Sequence, residues 1–439
     1  MADRYWVGGS GPWDTTSTAN WSATSGGAAG ASAPTAADTV YFNASSGTGT
    51  VTLGENVSCL LLLMSGYTGS MAFAGFKISI AGNATTVFTG STTIGTITGE
   101  PTLEFTYAGS TGTRQLTTGA PVEAKSFSFK FIGGTDTLAG MGTVRSLDFT
   151  GFAGTLVGQA RTIYGTLTLS SGMTLPSGVA LTFAATSGTY THTFAGKTYD
   201  GNVTINGAGS TQKFGDNFAI GATRTLTLTN GTLDGNGKNA SIGTFALGAG
   251  TKTLTLGNGT WTVVGSGTAW DANTNVTGLT VSASTGTINM NSASAKTFAG
   301  GAKAWPTLNQ GGAGALTIQQ SNTFANITNT VQPATITLTA GTTQTVSAFG
   351  VSGTSGNIIT LNSSSAGSQA TLSDSSGTNS VSFVSIKDIN ATGGAAWEAF
   401  ITNGNVDAGN NTGWDFLVQL GRYMYNVRKS KRILQQGVI

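Results

Sequence analysis

A short apolar phrase recurs along this chain: Thr166-Leu167-Thr168-Leu169, Val203-Thr204-Ile205, Leu226-Thr227-Leu228, Leu254-Thr255-Leu256, Leu316-Thr317-Ile318 and Ile336-Thr337-Leu338. Aliphatic residues and Thr alternate with period two, and Gly, Asn or Ser bound each phrase, which is the pattern of a short strand buried on one face. The phrases return about every 10 to 30 residues with no helical periodicity between them, so the strands are expected to stack coil on coil in a solenoid. The expected fold is all-β, a right-handed parallel β-helix. Asn230-Gly231, Asn236-Gly237 and Asn258-Gly259 supply the positive φ that sharp corners need. The same dipeptides close hairpins, which leaves an array of antiparallel sandwiches or barrels as the alternative.

Composition agrees with a folded solenoid. Charged residues are 9% of the chain and Gly accounts for 66 of 439 residues, against roughly 25% charged and 7% Gly in ordinary soluble domains. Hydrophobic residues still reach 38% and only seven Pro are present, enough apolar surface to offset chain entropy. Stacked coils favour outward Thr, Asn and Ser, because like charges about 4.8 Å apart repel. Two windows overlay in order and polarity: Thr193-Phe194-Ala195-Gly196 through Val203-Thr204-Ile205 and Phe218, and Thr297-Phe298-Ala299-Gly300 through Pro306-Thr307-Leu308 and Phe324. They imply about four or five intervening coils of roughly 20–26 residues, and some 15 to 18 coils in a rod of roughly 70–90 Å.

The ends differ from the middle. Residues 1–45 hold Trp6, Trp13 and Trp21 and read as an N-terminal cap over the first open coil; as an alternative, these indoles form a stacking platform for sugars. Residues 46–380 read as the solenoid body. Residues 381–416, from the strand-like Val381–Ile386 to Trp397 and Trp414, read as the closing coil and C-terminal cap. From 417 to 439 come Arg422, Arg428, Lys429, Lys431 and Arg432 with no acid, so a tail of +5 follows a body of −3. On a helical wheel Leu420, Tyr423, Met424, Val427 and Leu434 share an arc, with Arg422, Arg428, Lys429 and Arg432 on another. This basic amphipathic segment reads first as a docking segment for a partner protein, otherwise as a solvated tail or a nucleic-acid or membrane binder. Five charges without interleaved aromatics make a weak nucleic-acid case.

Catalytic chemistry finds little purchase. Glycoside cleavage wants two neighbouring carboxyl groups, one with a raised pKa; here Glu100 and Glu104 are close in sequence, and Asp200, Asp216 and Asp234 lie near one coil length apart but read as turn residues. His192, the sole histidine, lies in an alternating strand with no second His or Cys for a metal site or triad, and reads as a surface or ladder residue. Cys59, the sole cysteine, reads as a buried hydrophobe. No cofactor-binding or phosphate-binding motif is present. The first residues lack a secretory leader pattern, and Leu60–Met64, the longest apolar run, is far too short to span a bilayer.

Arg4-Tyr5-Trp6-Val7-Gly8-Gly9, Asn20-Trp21-Ser22 and Pro34–Phe42 at the start, with Val384-Ser385-Ile386-Lys387-Asp388 and Asn411-Thr412-Gly413-Trp414 near the end, resemble the opening and closing segments of β-helical structural proteins of tailed bacteriophages. The resemblance implies a virion component, a capsid-decorating protein or a fibre or spike, made in a host cytoplasm and carried on the particle surface. The resemblance carries over no catalytic residues and suggests a trimer; the alternative it leaves is a receptor-binding fibre or spike whose rod face binds host glycan, with or without cleaving it. Secreted bacterial adhesins share a similar opening and form a third possibility.

Overall fold

The computed structural model describes residues 1–417 apart from residues 111, 120 and 121. They form an all-β parallel solenoid of about 17 turns. Among the described residues helical geometry is confined to three short 3-10 segments, Ala44–Ser46, Glu123–Lys125 and Ile401–Asn403.

The recurring phrases lie directly on one another. Val203 and Ile205 stand opposite Leu226 and Leu228, and Leu316 and Ile318 opposite Ile336 and Leu338. All eight are buried while the threonines between them are half-exposed. Period two sends the aliphatic residues inward, and parallel register then sets each on an aliphatic of the coil before, worth about 1.5–3 kcal/mol per fully buried side chain. Coil length is not constant: stacked partners are 20 residues apart at Asn289 and Asn309 and 25 at Thr337 and Asn362. These parallel ladders remove the antiparallel alternative. An antiparallel pair, Asp3–Trp6 with Trp21–Ser22, belongs to the opening segment.

The chain divides into two compact units, Met1–Asp234 and Gly235 onward. In the first, one wall runs from Trp21–Ser22 and Asp3–Trp6 through Thr39–Tyr41, Leu61–Leu63, Thr86–Thr89, Thr113–Thr117 and Thr137–Gly140 to Thr155–Leu156. A second wall stacks Val57–Cys59, Lys77–Ile80, Thr102–Phe105, Ser128–Phe131, Leu147–Asp148 and Leu167–Thr168. Between them Phe105, Phe131 and Phe149 stack at 4.8 and 5.2 Å. In the second unit Thr260–Val263, Thr287–Met290, Ala304–Gln310, Thr323–Asn329, Thr343–Val346, Ala370–Ser373 and Ile389–Thr392 make one wall. Trp261, Trp270, Phe298 and Trp305 pack in its interior, Trp270 meeting Trp305 edge-on at 5.5 Å.

Two local readings change. Asn230-Gly231 falls inside a strand rather than between two: it sits in the ten-residue strand Thr225–Asp234, between the run paired with Val203–Ile205 and the run paired with Thr211–Lys213, where the register slips. Gly231 takes φ +78° there, and Asn230 Nδ2 donates to Asn206 Oδ1 at 2.7 Å, so the pair forms a bulge. Near the other end the strand begins at Val384 rather than Val381, because Phe383 is left-handed at φ +52° and reverses the facing of the residues before it. The few charges on the ladders also alternate in sign: Glu104 stands opposite Lys130, Lys130 opposite Asp148, and Lys213 opposite Asp234.

Candidate functional site

Trp6, Trp13 and Trp21 are fully buried. Trp21 meets Trp6 and Trp13 edge-on at 5.2 and 5.3 Å, and Phe42 packs against all three at 5.7–6.2 Å. A sugar stacks on an open ring face, and none of these three faces is open, so the glycan-platform reading gives way to that of an aromatic plug in the first coils. At the other end Trp397 and Trp414 meet edge-on at 5.2 Å. The docking residues Leu420, Arg422, Tyr423, Met424, Val427, Arg428, Lys429, Arg432 and Leu434 lie outside the described residues.

The candidate acids are held in separate places. Glu104 is buried between Lys77 at 2.5 Å and Lys130 at 3.4 Å. Asp200 accepts from Arg224 Nε at 2.8 Å and from Ser177, and these bonds hold its carboxyl down at about 2. Asp216 caps the backbone N–H groups of Phe194 and Ala195, both at 2.7 Å, and Asp234 pairs with Lys213 at 3.3 Å. Asp136 and Arg114 form an ion pair with both side chains out of solvent. A general acid needs a carboxyl kept protonated near neutral pH; Asp200 and Glu104 are shifted the opposite way.

His192 is not a surface residue. The strand Gly188–His192 sets it inward opposite Phe214, 1% exposed. Its Nδ1 accepts from the Leu167 backbone N–H at 3.2 Å, which leaves the proton on Nε2 to be donated to Gln212 Oε1 at 2.7 Å. Gln212 Nε2 donates to Ser210 Oγ, and Ser210 Oγ to Gly207 O. Burial lowers the imidazole to about 4, so it stays neutral at physiological pH. Cys59 is buried, and burial pushes its thiol well above the ordinary range. Lys296 is enclosed too: its Nζ donates to the carbonyls of Ser292, Gly312 and Gly314 at 3.0, 3.1 and 2.6 Å, and burial lowers it to about 8. Among the described residues no three His, Cys, Asp or Glu side chains come together in a metal-binding group.

One surface cluster does gather chemistry, in the first unit. The 3-10 segment Glu123–Lys125 bridges coils: Glu123 Oε2 accepts from the backbone N–H and the hydroxyl of Thr186, 63 residues on, at 3.1 and 2.7 Å. Arg145 N donates to Phe127 O, and Tyr164 N to Val144 O, placing Arg145 and Tyr164 on neighbouring rungs. The Tyr164 phenol is raised by burial and then by the charge of Glu123. Tyr190 is raised by burial, then by Glu123, with Arg145 opposing and Glu100 adding. Raised phenols remain neutral donors; Glu123, Arg145, Tyr164 and Tyr190 are all half-buried, and Arg145 Nε is enclosed with no hydrogen-bond partner among the described residues. That set can hydrogen-bond and stack on a polyol. Sequence reasoning paired Glu100 with Glu104 by adjacency and missed Glu123, Arg145, Tyr164 and Tyr190; the available signal was their spacing of roughly one coil each.

No protein family, no curated protein and no solved structure matches this chain.

Proposed function

We propose that this chain is a non-catalytic structural protein of a tailed-bacteriophage particle, a capsid-decorating or surface-fibre solenoid that assembles with other virion proteins and with copies of itself, as a trimer. The observation that carries the reading is the employment of its reactive side chains. Glu104, Asp136, Asp200, Asp216 and Asp234 each hold a basic side chain or a backbone N–H group, and His192 is locked inside. Threonine, asparagine and serine ladders are left to face outward, a surface suited to packing rather than turnover. The likeness of the opening and closing segments to phage β-helical proteins supplies the setting.

Immunogold labelling of particles released by the producing cell, alongside fractionation of its envelope, tests the proposal. Label on intact particles is expected. Protein confined to the envelope, with bare particles, overturns the reading in favour of an adhesin.

A second reading, a receptor fibre that binds host-surface glycan, is favoured by the cluster of Glu123, Arg145, Tyr164 and Tyr190. On a glycan array it predicts a saccharide signal that Tyr190→Ala abolishes and that Trp13→Phe, inside the buried plug, leaves in place.

A further inference from the structure

Lys296 begins the strand Lys296–Ala299 at an inward position, with Gly267 and Leu316 as its neighbours on the ladder. It is 1% exposed, yet none of the acceptors of its ammonium is a carboxylate. Nζ donates to three backbone carbonyls, Ser292 O, Gly312 O and Gly314 O, at 3.0, 3.1 and 2.6 Å. Two of these belong to the corner of the following coil, which rests directly on the corner before Lys296: a Cβ at Gly312 would lie 2.2 Å from Ser292 O, and one at Gly314 would lie 1.9 Å from Ser294 O. Glycine thus lets two coils bring their carbonyl dipoles to one point, where they repel unless a positive charge sits among them. A carbonyl has two lone pairs. Gly312 O and Gly314 O each accept a second bond from Gln310 Nε2, at 2.9 and 2.7 Å, and Ser292 O from the Gly314 N–H at 3.2 Å. On that same Gln310 amide, Oε1 is buried and has no donor among the described residues. Oxygen shells of roughly 2.3–2.6 Å around calcium and about 2.0–2.1 Å around magnesium are tighter than this one and draw on carboxylates. Carbonyl oxygens alone are the ligands that replace the hydration shell of potassium.

We infer that the carbonyls of Ser292, Gly312 and Gly314 form a site for one monovalent cation, which the Lys296 ammonium fills in this chain and which a free ammonium or potassium ion takes when that side chain is cut back. Ala293, Ser294, Ala295 and Ala313 are exposed, so the cage lies one residue beneath the surface, within reach of a dissolved ion. The inference is independent of the virion reading, because it concerns how one corner of the solenoid is held.

Hydrogen exchange in different salts tests it. In Lys296→Ala with tetramethylammonium chloride, whose cation is too large for the cage, the amides of Gly312 and Gly314 are expected to exchange about tenfold or more faster than in the unaltered chain. Ammonium or potassium chloride at the same concentration is expected to recover most of that protection and to saturate, as binding to the folded state requires, with the amide of Leu372 unchanged throughout. Lys296→Met, whose side chain fills the space without a charge, is expected to show no recovery. Equal exchange of Lys296→Ala in all three salts overturns the inference, and so does an equal recovery in Lys296→Met, which assigns the effect to salt at large. If Lys296→Ala is unfolded in every salt, the unaltered chain decides: a slowly exchanging side-chain ammonium signal in nitrogen-edited NMR, assigned by its loss in Lys296→Met, is expected, and its absence overturns the inference.

Discussion

His192 titrates in a window of its own. Folded, its pKa is about 4 because burial disfavours the imidazolium; unfolded, it lies near 6.5. As pH falls the unfolded chain takes up the proton first, so stability present above about pH 6.5 is lost as the pH falls through 4, by about 3 kcal/mol at most. Urea unfolding between pH 7 and 4 is expected to show that decline, and His192→Gln to flatten it. Asp38, Glu104 and Asp200 have lowered carboxyls, so their contributions are lost only below about pH 4.5, which leaves the range from about 6.5 to 4.5 to His192. Arg114 and Asp136 make a second residue-scale case. Asp136→Ala strands a guanidinium that is fully buried and is expected to cost about 3–5 kcal/mol, whereas replacing both by apolar residues of similar volume costs far less; equal losses from the two variants in urea unfolding would contradict this. Neither residue was singled out in the sequence, where 22 positions separate them and an isolated Arg or Asp reads as surface.

At the scale of the strand, the bulge at Asn230-Gly231 separates two costs that are usually confounded. Gly231 is at φ +78°, and a Cβ there would lie 2.0 Å from the carbonyl oxygen of Gly207. Gly356 is at φ +81° with open space around it. Gly356→Ala therefore costs the left-handed backbone term alone, about 1–2 kcal/mol, and Gly231→Ala exceeds it by at least about 1 kcal/mol because the clash is with backbone. Urea midpoints of the two variants check the order, and a Gly231→Ala variant as stable as Gly356→Ala would remove the bulge argument. The alternation of Leu and Thr was legible as strand in every recurring phrase, but whether a particular Asn-Gly turns the chain or bulges it depends on the partner strand. No local pattern reports the partner.

For the molecule as a whole, parallel stacking makes stability a sum over neighbours. Trp261 is fully buried, and its strand Thr260–Val263 pairs with Ala240–Ile242 and Thr287–Met290. Trp261→Ala is expected to cost about 3–5 kcal/mol, spent locally: hydrogen exchange accelerates in those two strands and stays as it was in Ala370–Ser373. Uniform acceleration through every coil would mean that the solenoid opens as one unit. The sequence by itself determined the all-β solenoid, its inward aliphatic and outward threonine columns and its aromatic ends, because burial of alternate residues and the turn chemistry of Gly and Asn are local properties. Tertiary structure alone decided that His192 faces inward, that the tryptophans of the first coils are closed to sugars, and that Glu123 reaches Thr186. The physical reason is coil length: with stacked partners 20 residues apart in one place and 25 in another, a shift of one residue sends a side chain to the opposite face, and only the folded register sets which residues meet.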